Sequence, residues 1–138
     1  MDSQPLGYNP VRWSCEKNGC FNKLRRPKIE VFAGCFPRRV NFGDVDGLVE
    51  LGGSFCLLEW KGEGGSIKVG QQISLSRFTL IPGNFVLAIE GNAETMEVRR
   101  LSRFWGGKQR PWEVADLERV KHELQEWASF AEAGKEER

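Results

Sequence analysis

Hydrophobic and polar positions alternate most regularly between residues 45 and 61. Over 45–51, Asp46, Leu48 and Glu50 fall on one face and Val45, Val49 and Leu51 on the other, the two-residue period of a strand. Gly52-Gly53 suits a tight hairpin turn. Ser54–Lys61 returns as a second strand, with Phe55, Leu57, Glu59 and Lys61 on one face and Cys56, Leu58 and Trp60 on the other. Apolar residues on both faces predict a central strand covered on both sides. After a loop at 62–65, Val69, Ile73 and Leu80 recur at helical steps and predict a helix over 68–80, stopped by Pro82-Gly83.

Residues 84–90 run Phe85, Val86, Leu87, Ala88 and Ile89 in succession and predict a buried strand, with an edge strand over 95–104. Pro111 opens the clearest helix, 111–134, with Leu117, Val120, Leu124, Trp127 and Ala131 on its apolar stripe. Its charged face carries Asp116, Glu118, Arg119, Glu123 and Glu126. Upstream, 1–10 is an irregular arm with Pro5, Gly7 and Pro10, and 11–24 has helical character broken by Asn18-Gly19. Pro27 suits the first turn of a helix over 28–35, and a short strand is expected near 38–42. The order is helix, strand meander, helix, strand and C-terminal helix, which describes a single mixed α/β domain over 1–138.

With 138 residues, 40% hydrophobic and 28% charged, the chain has the size and balance of one globular domain. No apolar run approaches the ~18–20 residues that span a bilayer. The first residues lack the basic start and apolar stretch of a signal peptide. No membrane partner is expected, and a cytoplasmic location follows. The net charge of +1 hides an asymmetry, since residues 111–138 hold eight acids and four bases and the remainder is basic. Lys23, Arg25, Arg26, Lys28, Arg38 and Arg39 lie within 21–40 against one acid, Glu30, a segment able to meet phosphate.

The acids near the hairpin carry the candidate chemistry. Side chains two apart on a strand share a face, so Glu59 and Lys61 point the same way, as do Asp44 and Asp46. If the Gly52-Gly53 turn sets the register, Asp46 and Glu59 come within bridging reach of one cation. Two carboxylates and the Trp60 backbone carbonyl form an all-oxygen set suited to Mg²⁺ or Mn²⁺ rather than zinc. A lysine beside them could orient a water or neutralise developing phosphorane charge. Charged groups ending an apolar strand are unfavourable unless paired, which points to function.

From Asp46 to Lys61 the chain reads Asp-Gly-Leu-Val-Glu-Leu-Gly-Gly-Ser-Phe-Cys-Leu-Leu-Glu-Trp-Lys. This resembles the signature of the PD-(D/E)XK nuclease superfamily, and the spacing is similar to that of archaeal-type Holliday junction resolvases and small phage-borne nucleases. The resemblance covers about residues 27–90. It implies a restriction-endonuclease-like core, with Asp46 and Glu59 as metal ligands and Lys61 as the catalytic lysine. It also implies a glutamine on the next helix, Gln71 or Gln72, with Gln72 as the catalytic candidate. An acid from the first helix would be Glu30, with Glu16 as runner-up. The implied activity is Mg²⁺- or Mn²⁺-dependent endonucleolytic cleavage of DNA, structure-selective or Holliday junction resolving, by a homodimer able to make paired cuts. The chain departs from the pattern at the proline that often precedes the aspartate: Gly43 precedes Asp44 and Val45 precedes Asp46. The ligand therefore lies between Asp44 and Asp46, with spacing to Glu59 favouring Asp46 and leaving Asp44 as a second ligand.

Arg99, Arg100 and Arg103 are further candidates to position a nucleic-acid backbone. Trp105, beside Gly106-Gly107, is the best candidate for an exposed aromatic, and His122 is expected at the surface. Cys15, Cys20, Cys35 and Cys56 are expected as free thiols, with Cys56 buried. Two alternatives stand beside the nuclease. One is a non-catalytic nucleic-acid-binding or protein-interaction domain on the same fold. The other is a zinc-stabilised module using Cys15, Cys20 and Cys35.

Overall fold

A computed structural model describes residues 28–40, 42–43 and 45–135. The chain divides into two units, Met1–Gly43 and Asp44–Arg138. In the first, the helix expected over 28–35 forms as a 3-10 helix, Ile29–Cys35. Phe42 meets Phe32 and Phe36 edge-on, at 6.3 and 5.4 Å between ring centres. The strand expected near 38–42 is not formed over Arg38–Val40. Instead the Val40 N–H donates to the Pro37 carbonyl at 3.1 Å, and Arg38 adopts a positive φ of 58°. That bond closes a turn, which an extended segment cannot make.

The second unit holds, among the described residues, one mixed sheet of six strands and two helices. β1 (Gly47–Leu51) and β2 (Ser54–Lys61) form the expected antiparallel hairpin. Gly52 and Gly53 both take positive φ, 61° and 88°, as the two-residue turn that follows strand twist requires. The Gly53 N–H also donates to Glu50 Oε2 at 2.7 Å. α1 (Val69–Phe78) then crosses over to β3 (Phe85–Asn92), which runs parallel to β2. β4 (Glu97–Trp105) returns antiparallel, followed by the short β5 (Lys108–Gln109) and β6 (Glu113–Val114), and α2 (Leu117–Lys135) closes the unit.

Three expectations are corrected here. The 95–104 segment is not an edge strand, because β4 pairs with β3 on one side and with both β5 and β6 on the other. The C-terminal helix starts at Leu117 rather than Pro111: Asp116 Oδ1 accepts the Arg119 N–H at 2.9 Å, a capping bond that fixes the start, while Pro111 precedes β6. The helix expected over 68–80 ends at Phe78: Val69 and Ile73 lie at its surface, Leu80 is exposed in the turn that follows, and Leu75 is its buried residue.

The sheet has two covered faces. Against α2 lie Cys56, Phe85, Leu87, Ile89, Val98 and Leu101, packed on Val120, Trp127 and Ala131 of the predicted stripe. Against α1 lie Val86, Ala88 and Phe104, with Leu75. Val98 and Leu101 join one cluster although three residues apart, which a regular strand forbids. The register between β3 and β4 shifts at Glu90/Gly91, leaving Arg99 as the extra residue of a bulge. Gly91 allows the close approach: a Cβ there would sit 2.3 Å from the Glu97 carbonyl oxygen.

α2 is pinned by the Trp127 indole N–H, which donates to the Gly83 carbonyl at 2.9 Å. Glu123, expected on the outer charged face, is instead buried. Its carboxylate pairs with Arg119 at 2.9 Å and with Arg103 at 3.8 Å, and Glu113 pairs with the same two arginines. The alternating charges satisfy one another where single ones would be destabilising. Among the described residues no helix is long and apolar enough to cross a membrane.

Candidate active site

The C-terminal half of β2 brings the predicted pair together. Lys61 Nζ lies 3.3 Å from Glu59 Oε1; the Glu59 side chain is 9% exposed and that of Lys61 23%. Both face the α1 side of the sheet, since Leu57, two residues before Glu59, packs in the α1 cluster. Trp60 points the other way, into the α2 cluster, and its indole N–H donates to the Gly91 carbonyl at 3.3 Å.

The hairpin register sets Asp46. Pairing begins at Gly47, opposite Leu58, so Asp46 stands one residue before β1, where its carboxylate reaches the main chain of β2. Asp46 is exposed, and its Oδ2 accepts the Trp60 backbone N–H at 2.6 Å. In an extended strand a residue's N–H and C=O leave on the same edge, so the Trp60 carbonyl also faces the β1 side. Asp46, Glu59 and the Trp60 carbonyl thus supply oxygen donors of the kind Mg²⁺ accepts alongside several waters. Among the described residues no three histidine, cysteine or acidic side chains gather around one point. Asp44 lies outside the described residues.

The remaining site candidates fall as follows. Gln72 is exposed on α1 and donates to Gln109 Oε1 at 2.7 Å; Gln109 in turn donates to Ser102 Oγ at 3.0 Å. Gln71 is half-buried and shares its helical stripe with Leu75 and Phe78. Glu30 is exposed in the 3-10 helix, and Lys28, Arg38 and Arg39 are exposed in the same unit. Lys23, Arg25 and Arg26 lie outside the described residues, as do Glu16, Cys15 and Cys20. Cys35 is exposed and Cys56 buried, as expected for the latter. Trp105 is exposed as expected, at 36%, and its ring sits edge-on to both Phe85 and Phe130, at 6.1 and 5.4 Å. His122 is at the surface as expected, 3.0 Å from Glu126.

One residue escaped the sequence reading. Glu90 pairs in register with Lys61 on the neighbouring strand and is buried at 5% exposure. Its Oε2 accepts the Gly64 N–H at 2.8 Å, and its Oε1 is ion-paired with Arg100 Nε. The Gly64 N–H, then the Arg100 guanidinium, lower its pKa from the ordinary carboxylate value. The available signal was the one that exposed Glu59 and Lys61: a charged residue ending an apolar strand run. Lys61, Glu90 and Arg100 therefore form a row of alternating charge across β2, β3 and β4 on the α1 face. Comparison with family models, curated proteins and solved structures finds no match to this chain.

Proposed function

We propose that the protein is a Mg²⁺- or Mn²⁺-dependent DNA endonuclease with a PD-(D/E)XK-type core, acting on branched DNA as a homodimer. The observation that carries this is the Glu59–Lys61 pair on β2, its carboxylate buried, with Asp46 bonded to the N–H of the intervening Trp60. The hairpin, crossover helix and parallel strand support this reading in part, since the further strand expected before the hairpin is not formed over Arg38–Val40. Asp46, Glu59 and the Trp60 carbonyl would hold the metal. Bound there, Mg²⁺ would supply Lewis-acid polarisation of a phosphate oxygen and a more acidic water. The Lys61 ammonium, held by Glu59 and partly exposed, is available to orient that water by hydrogen bonding and to oppose charge developing on the phosphate. Burial of the Glu59 carboxylate limits water on its side of the pair.

The test is cleavage of branched, duplex and single-stranded DNA with and without Mg²⁺. Lys61→Ala is expected to lower cutting by ~10²–10³-fold, the usual loss for one electrostatic stabiliser, with DNA binding retained. Cutting at the wild-type rate by that variant would sink the mechanism. The Asp46–Trp60 bond favours a second role, in which Asp46 only closes the hairpin and the fold is a non-catalytic binding domain. In that case no metal-dependent cleavage occurs, and Asp46→Asn, which keeps an acceptor for the Trp60 N–H, leaves binding unchanged.

A further inference from the structure

The three arginines of β4 that could meet a nucleic-acid backbone are not equivalent. Arg103 is committed to Glu113 at 2.8 Å and to Glu123. Arg99, the bulge residue, is paired with Glu63 at 3.3 Å. Arg100 differs from both. Its Nε is tied to the buried Glu90, and its guanidinium carbon lies 4.3 Å over the centre of the Trp112 ring. One edge and one face are therefore fixed, and among the described residues the two Nη groups bind no other acceptor. The side chain is 38% exposed. It borders a cleft of about 670 Å³ lined also by Gly64, Glu90, Arg99 and Val114.

A guanidinium presents its donors as a planar fork that matches two phosphate oxygens. Holding the fork by one nitrogen and one face removes rotamer entropy that a free arginine loses on binding. From Arg100 to Lys61, across Glu90, the same row carries a second partly exposed cation. We infer that Arg100, oriented by Glu90 and Trp112, binds a phosphodiester of the nucleic-acid backbone adjoining the Glu59–Lys61 pair. This rests on the nuclease function proposed above for its choice of ligand.

Binding of a double-stranded oligonucleotide is measured by fluorescence anisotropy in EDTA, across a salt series, so that cleavage plays no part. Arg100→Ala is expected to weaken binding roughly tenfold at low salt and to reduce the salt slope by about one. Glu90→Gln separates orientation from charge. It makes the protein more positive, so charge alone would tighten binding; loss of orientation weakens it several-fold. Should Glu90→Gln fail to fold, Trp112→Leu leaves both the ion pair and the net charge in place and is expected to weaken binding. Wild-type affinity and slope in Arg100→Ala, or tighter binding by Glu90→Gln, would overturn the inference. Displacement of the oligonucleotide by inorganic phosphate at matched ionic strength would reassign the site to free phosphate and overturn the backbone contact. A protein that binds through Arg100 but never cuts defeats the nuclease function alone. A protein that cuts while Arg100→Ala binds normally defeats the Arg100 inference alone.

Discussion

Replacing Glu90 by Gln removes a charge from a nearly isosteric side chain, so the energetic consequence can be worked from its two partners. The Gln carbonyl oxygen can still accept the Gly64 N–H, now without charge assistance. Its amide N–H₂ cannot accept from Arg100 Nε, and the ion pair is lost. Breaking a wholly buried pair costs ~3–5 kcal/mol, whereas an exposed pair contributes under ~1 kcal/mol. Glu90 is buried but Arg100 is 38% exposed and can rehydrate, which places the loss at about 2 kcal/mol. The pH dependence follows from the lowered Glu90 pKa. Folding favours the carboxylate, so its contribution is complete above the unfolded value of about 4.3 and fades as pH falls through the lower folded value. Urea denaturation of wild type and Glu90→Gln at pH 7 and at about pH 3 is therefore expected to show a gap that narrows in acid. An equal gap at both pH values, or none at pH 7, would refute this account of Glu90.

Two further expectations concern packing. Gly91→Ala forces a methyl group against the Glu97 carbonyl oxygen, which as main chain cannot swing away, and should destabilise by about 2–3 kcal/mol, read as a fall in the urea midpoint. Burial pushes the Cys56 thiol up to about 12, so alkylation at pH 8 followed by peptide mapping should leave Cys56 unmodified until denaturant is added, while the exposed Cys35 reacts at once.

The parts of the fold legible in the sequence were those in which one period governed a whole element. The β1–β2 hairpin and β3 emerged close to their observed bounds because alternation or an unbroken apolar run extends along each strand. β4 was misjudged as an edge because its partners on that side, β5 and β6, are two residues long, too short to carry any period. The start of α2 was misplaced because proline at 111 and aspartate at 116 both signal a helix start, and only the Asp116 capping bond decides between them. The inward turn of Glu123 joins its i,i+4 partner Arg119 to Arg103, twenty residues earlier, and the helical pattern shows only the first of these. Within the candidate site, the shared face of Glu59 and Lys61 followed from strand geometry alone. The bond from Asp46 to the Trp60 N–H and the alignment of Glu90 with Lys61 needed the strand pairing, which couples positions many residues apart.

The bulge at Arg99 has a consequence for how β4 can change length. Deleting one residue within 101–105 would reverse the phase of every residue before it relative to those after, sending buried side chains toward the wrong helix. Arg99 is the joint at which that phase is already broken. Removing or adding a residue there alters the cation that meets Glu63, while Arg100 stays in register with Glu90 and Leu101 and Phe104 keep their sides. A single position can thus vary the charged rim of the candidate site by insertion or deletion without exchanging the two cores beneath it.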